Sequence, residues 1–504
     1  MNDLRPMNNL FRRVAIALVG LLFVPALLAQ NEVDALRIST SNPGGTGRST
    51  GLANAFGALG ADPVAAGINP AGFGLYRTSE LSVTPMVEVN GVTSTAYGTQ
   101  AVDSKTTFVI NNLALILNNP SKGGDWRSGT FGVVYDRQQS NNWRTASNAE
   151  NVPSTFLEGM ALDADGIRSD ELFDALPFTA GLAWDTYAIN LADPNDTLGT
   201  TYYPAIPFGS LTTQVHTVQS KGASANTTFF YSGNYMDRVY LGLSLGLASH
   251  RLSRTTTHSE TSEDGTLDLE NATWTEDLST TGNGVNVKVG VIGRITDRFR
   301  MGLAYHSPQW MQLTDAFVTS MATQFRTPDA FGTSRYIADS PESIFGYQVN
   351  TPWRLVGSAA YIAGDHGLVS VDYEYHDPRG ARFRPADEFV NSYDFQSENT
   401  AIVASFTPVH TLRAGTEWRF SNWYYRLGWG IVTNPYKTTD SRRGDALKNY
   451  AAGIGYRTDH LAVDLGMNHA LQQSSTYPYY PDLVEATVED RRSTRFILTV
   501  SLRP

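Results

Sequence analysis

From about Ser79 onward, apolar and polar residues alternate with a period of two, as in strands whose two faces meet different surroundings. In "RVYLGLSLGLASH", Val239, Leu241, Leu243, Leu245 and Leu247 share one face, opposite Tyr240, Gly242, Ser244, Gly246, Ala248 and His250. Val285, Val287, Val289 and Val291 alternate with Asn286, Lys288 and Gly290 in the same way. Near the C-terminus, "LRAGTEWRF" and "WYYRLGWGI" repeat the pattern with aromatic rings on the apolar face. Fourteen such segments are predicted: 79–98, 106–118, 128–138, 222–234, 238–258, 282–294, 298–314, 353–363, 367–384, 409–420, 423–433, 449–458, 460–472 and 492–502. Many come close to the ~9–11 residues with which a tilted strand crosses a bilayer.

The connections add a second pattern. "NYMDR", "ITDR", "AGDHG", "FSNW" and "RTDH" are tight polar turns, each with Asp or Asn, which tolerate turn geometry. Long connections lie between them, over 139–221, 259–281, 315–352, 385–408, 434–448 and 473–491. Short and long alternate from the third segment onward. That alternation predicts an all-β fold, a 14-stranded antiparallel transmembrane β-barrel with short periplasmic turns and longer outer loops. A soluble sandwich or propeller would share the strand pattern, but its loops need not alternate in length, and no blade-like repeat is present.

On this reading Arg300, Arg413, Glu417, Arg419, Arg426 and Asp464 point inward. Burying them dry and unpaired would be costly, so the lumen is expected to hold water, paired charges or a polar plug. In the third connection, Ser169 is placed to cap a short helix carrying Leu172, Phe173 and Leu176, ended by Pro177. Those apolar residues fit either a loop that captures a hydrophobic ligand or a lid over the barrel mouth.

Composition narrows the setting. The chain has 504 residues, with 44 Gly, 24 Tyr, 23 Phe and 9 Trp but only 17% charged residues, a balance that suits turn-rich β-structure. It has no cysteine, which excludes disulfides, thiolate sites and a lipidated cysteine. The basic start, the apolar run "VAIALVGLLFVPALL" and the small Ala29 predict a cleavable signal peptide over residues 1–29. Its loss removes Arg5, Arg12 and Arg13 against Asp3 and takes the net charge from −11 to about −13. An acidic exported chain is not expected to bind nucleic acid.

No catalytic or cofactor signature stands out. In "GGTGRSTGLANAFGALGAD" (residues 44–62), Arg48 occupies the place of a phosphate-loop lysine, and Asn42 that of its first glycine. The glycines at 45, 47 and 51 miss the dinucleotide spacing. "DADGIRSDE" misplaces the glycine and third ligand of a calcium loop, and the nine histidines are scattered. No cofactor, no metal and no enzymatic activity are expected.

"TGRSTGLANAFGALGADPVAAGINPAGFGLY" resembles the N-terminal hatch of the FadL/TodX family of outer-membrane transport proteins. The family's Asn-Pro-Ala motif stands here as Asn69-Pro70-Ala71, after the small-residue run from Gly51 to Gly67. "RMGLAYHSPQWMQL" (300–313) and "TPWRLVGSAAYI" (351–362) resemble strands of that family. The chain departs from many outer-membrane barrels in ending "TVSLRP" rather than on an aromatic residue.

The resemblance implies a hatch over 30–78 and a barrel over 79–504 in the Gram-negative outer membrane. It implies passive uptake of hydrophobic compounds such as long-chain fatty acids or aromatic hydrocarbons. These would be captured at the outer face and released by hatch-gated lateral diffusion. The implied partners are the lipid bilayer, its lipopolysaccharide and a hydrophobic small molecule. A docking role for a protein partner at the outer loops, in secretion or surface assembly, is the alternative.

Overall fold

A computed structural model of the chain describes residues 31–193, 195–386 and 393–504. The expected signal peptide lies outside the described residues. Fourteen antiparallel staves close into a barrel. They are β1 (Glu80–Ala96), β2 (Thr99–Pro120), β3 (Trp126–Ser140, continued by Trp143–Val152), β4 (Thr212–Tyr235) and β5 (Val239–Ser262). Next come β6 (Leu269–Arg294), β7 (Phe299–His306 and Trp310–Phe325), β8 (Ser343–Asn350 and Arg354–Ala363) and β9 (Gly367–His376 and Arg382–Pro385). The last are β10 (Val409–Phe420), β11 (Trp423–Val432), β12 (Leu447–Arg457), β13 (Leu461–Thr476) and β14 (Thr487–Leu502). Closure is made by β14 on β1, in register from Leu81↔Leu502 to Thr95↔Val488.

Each staff overlaps one of the predicted segments, and several run further at the long-loop end. The β4–β5 pair extends without a register shift from Tyr235↔Val239 to Thr212↔Ser262. Its far end, "TTTHSETS", is polar on both faces because it stands beyond lipid, so it carries no alternation to read. The third connection, expected over 139–221, is strand at both ends and spans 153–211. The connections expected over 259–281 and 315–352 likewise shorten to 263–268 and 326–342.

The apolar faces point outward. Leu241, Leu243, Leu245 and Leu247 are all exposed, as are Val285 and Val289, Trp423 and Trp429, and Leu465 and Phe496. In water a continuous belt of this kind would be an aggregation surface. Around a barrel closed by β14 on β1, it is the surface of a membrane-spanning wall.

Three neighbouring staves break at one level. β7 is interrupted at Ser307-Pro308-Gln309, β8 at Thr351-Pro352-Trp353, and β9 between Asp377 and Ala381, where Pro378 sits. Proline has no N–H for the ladder, and each break contains one.

Residues 153–211 fold into a cap on the long-loop end. Helix α2 (Phe156–Ala164; α1, Glu32–Ser39, lies in the N-terminal segment) packs with Leu172, Leu176, Leu182 and Ile206 onto Leu269 and Ala272 of β6 and Met321 of β7. Tyr480 of the last long loop donates a hydrogen bond to Asp163 of α2. Burial, then that carboxylate, holds the Tyr480 hydroxyl above its ordinary pKa.

Candidate functional site

Residues 47–73 run around the inner wall of the barrel and meet the staves in reverse order, after Ser39 and Ser41 accept from Arg354 of β8 and Gly44 and Gly45 donate to Asp136 of β3. Gly47 lies against β13 and β14, Gly51 against β12, and Leu52 against β10 and β11. Gly57 follows at β7 and β8, Pro70 at β5 and β6, and Phe73 stacks on Phe230 of β4. The wall makes room by omitting side chains. A Cβ at Gly466, Gly428, Gly415, Gly302, Gly290 or Gly242 would overlap hatch atoms, mostly backbone. These glycines form a groove that seats an irregular chain.

An irregular backbone at membrane depth must find partners for its polar groups inside the protein. The wall supplies both kinds. Asp372 accepts from Phe56 N and Gly57 N, each at 2.8 Å. Asp136 accepts from Gly44 N at 3.1 Å and Gly45 N at 3.2 Å. Lys288 donates to Ala66 O at 2.7 Å, His306 Nε2 to Ile68 O at 2.8 Å, and Arg300 to Leu59 O at 3.1 Å.

The structure places Asn69, Pro70 and Ala71 at the start of a 3-10 helix, Pro70–Leu75. Asn69 Oδ1 caps it by accepting from Ala71 N (3.1 Å), and Pro70 fills the first helical position, where no N–H is needed. Asn69 Nδ2 donates to Gly57 O (2.8 Å) and Val291 O (3.3 Å), tying the motif to the hatch and the wall at once. All three residues are buried.

Four of the six charges expected to point inward form ion pairs, while Arg300 donates to Leu59 O. Arg48 Nε and Nη2 each donate to Glu417 at 3.0 Å, and Glu417 accepts from Arg426 at 2.6 Å. Asp464 lies 2.7 Å from Arg426 and 3.1 Å from Arg457. Arg413 meets Glu374 at 2.9 Å. Arg419 departs from the expectation: it sits at the turn end of β10, exposed, and donates to Ser421 O.

Above the N-terminal segment the wall opens. β2 and β3 pair only from Pro120↔Ser128 to Asn112↔Asp136, and beyond that β2 is paired with β1 alone. At its break, β3 bends inward behind β1, where Asn142 O accepts from Asn90 Nδ2 at 2.7 Å and Ser140 donates to Glu88. A cavity of about 980 Å³ adjoins the gap, lined by Thr107 and Val109 of β2, Tyr135 and Arg137 of β3, and Asn142, and reaching Leu313 and Tyr347.

No family model matches the chain, and no curated protein matches it. Among solved structures it is similar to a Pseudomonas aeruginosa FadL homologue, at 11% identity and a TM-score of 0.55, over 92% of this chain and 98% of that one. The fold is that of the FadL homologue. Similar structures also include the Pseudomonas putida toluene transporter TodX (10% identity, 90% and 97% covered, TM-score 0.49) and the Ralstonia pickettii toluene transporter TbuX (13%, 90% and 97%, 0.48).

Within this FadL-type barrel, Leu172 and Leu176 lie in the interior of the cap, with Phe173 partly buried against it. None of the three lines the cavity beside the gap. The helix that Ser169 was expected to cap is a single turn, Leu172–Ala175, and Ser169 Oγ instead donates to Thr197 O at 2.7 Å. Asp136, Asp372 and the groove glycines were not singled out from sequence. Their signal was small residues recurring on the inward faces of successive strands, at Gly242, Gly290 and Gly415.

Proposed function

We propose that the barrel is an outer-membrane channel for passive uptake of hydrophobic compounds, with the cap end outward. The observation that carries this reading is the unpaired stretch between β2 and β3, with its cavity, standing directly above a lumen closed by the hatch. A closed hatch bars the axial route, whereas the gap faces lipid, where an apolar solute is at home. The fold shared with a Pseudomonas aeruginosa FadL homologue supports a hydrophobic cargo. In this reading residues 30–78 act as the hatch, with Asn69, Pro70 and Ala71 as its anchor, and Leu172, Phe173 and Leu176 hold the cap over the entrance.

The test is uptake of a fluorescent hydrophobic probe by cells carrying the barrel or a variant with Val109→Trp and Ala225→Trp at the gap. Uptake should fall severalfold while heat-modifiable mobility shows an intact barrel. Undiminished uptake with the gap so filled would rule out the lateral route.

A further inference from the structure

Just beyond the lipid-facing belt the wall changes character. On β5 the outward face runs Leu241, Leu243, Leu245, Leu247, then Ser249 and Arg251. Arg251 pairs with Ala223 of β4, and Lys221 of β4 pairs with Ser253, so Lys221 and Arg251 are diagonal neighbours on that face. On the other side of β4, Arg137 of β3 pairs with Ala225. Two alanines thus separate the two arginines, and Arg137, Ala223, Ala225 and Arg251 all line the cavity beside the gap. Methyl groups between two guanidinium-bearing side chains leave room for a compact anion.

The one carboxylate that acts on Arg137, Glu88, does so from a distance and is itself paired with Arg495. Arg137 donates through Nη2 to Gly222 O at 3.0 Å, and its buried Nε has no partner. Lys221 and Arg251 are exposed. Among the described residues none of the three forms an ion pair, whereas neighbouring Arg144 meets Asp103 at 2.9 Å. In a chain of net charge −11, three free cations have been gathered at one edge of the belt. Their mutual repulsion is relieved by an anion, and planar guanidinium groups suit phosphate oxygens.

We propose that Arg137, Lys221 and Arg251 seat the phosphate of a phosphorylated lipid headgroup at the rim of the gap. A lipid fits better than free phosphate because Leu247 lies four residues from Arg251 on the same face. That is roughly 13 Å at ~3.3 Å per residue, so acyl chains below a seated headgroup would run along Leu241–Leu247. The seat would hold one lipid beside the opening.

The experiment uses the full barrel in detergent and follows its binding of bisphosphorylated lipid A and of the same lipid A dephosphorylated. Arg137→Gln with Arg251→Gln should weaken binding of the phosphorylated form by about tenfold or more. Arg335→Gln, an exposed change on a hairpin at the cap end, should leave it unchanged. Lys221→Glu, also exposed, gives an independent loss should the double variant fail to fold. Equal binding of the two lipid A forms, or undiminished binding by the variants, would overturn the proposal. So would displacement of the lipid by inorganic phosphate at matched concentration, which would mark a free-anion site. The seat does not depend on transport: failure of hydrophobic uptake would count against the channel reading alone.

Discussion

Arg48 and Glu417 stand 369 positions apart in the chain and meet as a two-pronged ion pair, with Nε and Nη2 of the arginine each 3.0 Å from a carboxylate oxygen. The arginine belongs to the hatch and the glutamate to the wall, and their surroundings are nearly dry. Removing one partner of such a pair is costly because the other is left buried with an incomplete set of partners. Arg48→Ala should therefore loosen the hatch by about 3–5 kcal/mol. In planar bilayers this variant should conduct ions above the level of the unaltered barrel. Adding Glu417→Gln should restore part of the closure. Equal conductance in all three proteins would show that the pair does not hold the hatch.

The glycine groove yields a contrast between two substitutions that look alike in sequence. Glycine within a strand usually costs roughly 0.5–1 kcal/mol relative to alanine. Gly357→Ala, where nothing lies within 4 Å of the added Cβ, should follow that rule and leave thermal stability unchanged or raised. Gly290→Ala should do the opposite, because the new methyl overlaps Asn69 Oδ1. Protease cleavage within residues 44–72 should then quicken only for Gly290→Ala.

Glu260 anchors the cap. One oxygen accepts from Phe156 N, at the first turn of α2, at 3.0 Å, and lies 2.9 Å from His258 Nε2. Glu260→Ala leaves that N–H and that ring without their acceptor, at a cost of about 1–3 kcal/mol. Limited proteolysis should cut residues 153–211 sooner, while heat-modifiable mobility of the barrel stays as before.

Asn90 holds the inward bend of β3 through its 2.7 Å bond to Asn142 O. Asn90→Ala should cost about 1 kcal/mol and let β3 swing back toward β2. Hydrophobic probe uptake should drop, with little change in the melting temperature of the whole barrel.

Much of the wall is legible in the sequence, because Leu241–Leu247 and Val285–Val291 alternate as strands whose two faces meet different surroundings, and the alternating loop lengths say which surroundings. Legibility ends where that contrast ends: at Thr255–Ser262 both faces meet a polar setting, so the strand carries no period to read. The Asn-Pro-Ala anchor shows as a motif, since a capping side chain and a proline are local features. Arg48 was conspicuous only as a failed phosphate-loop lysine. Its partner, Glu417, lies on a strand that nothing local connects to it. The groove glycines were visible as residues but not as a groove, because a glycine facing inward reads the same whether it faces water or another backbone.

The path of the hatch around the wall also constrains how the molecule is made. Gly47 N donates to Thr499 of β14 and Arg48 waits for Glu417 of β10, yet both belong to the first part of the chain. Those two contacts can form only once β10 and β14 are in place. The part of the segment that meets β10–β14 therefore settles only after those staves are in place, whereas Gly44 and Gly45 meet Asp136 of β3 and Phe73 meets Phe230 of β4.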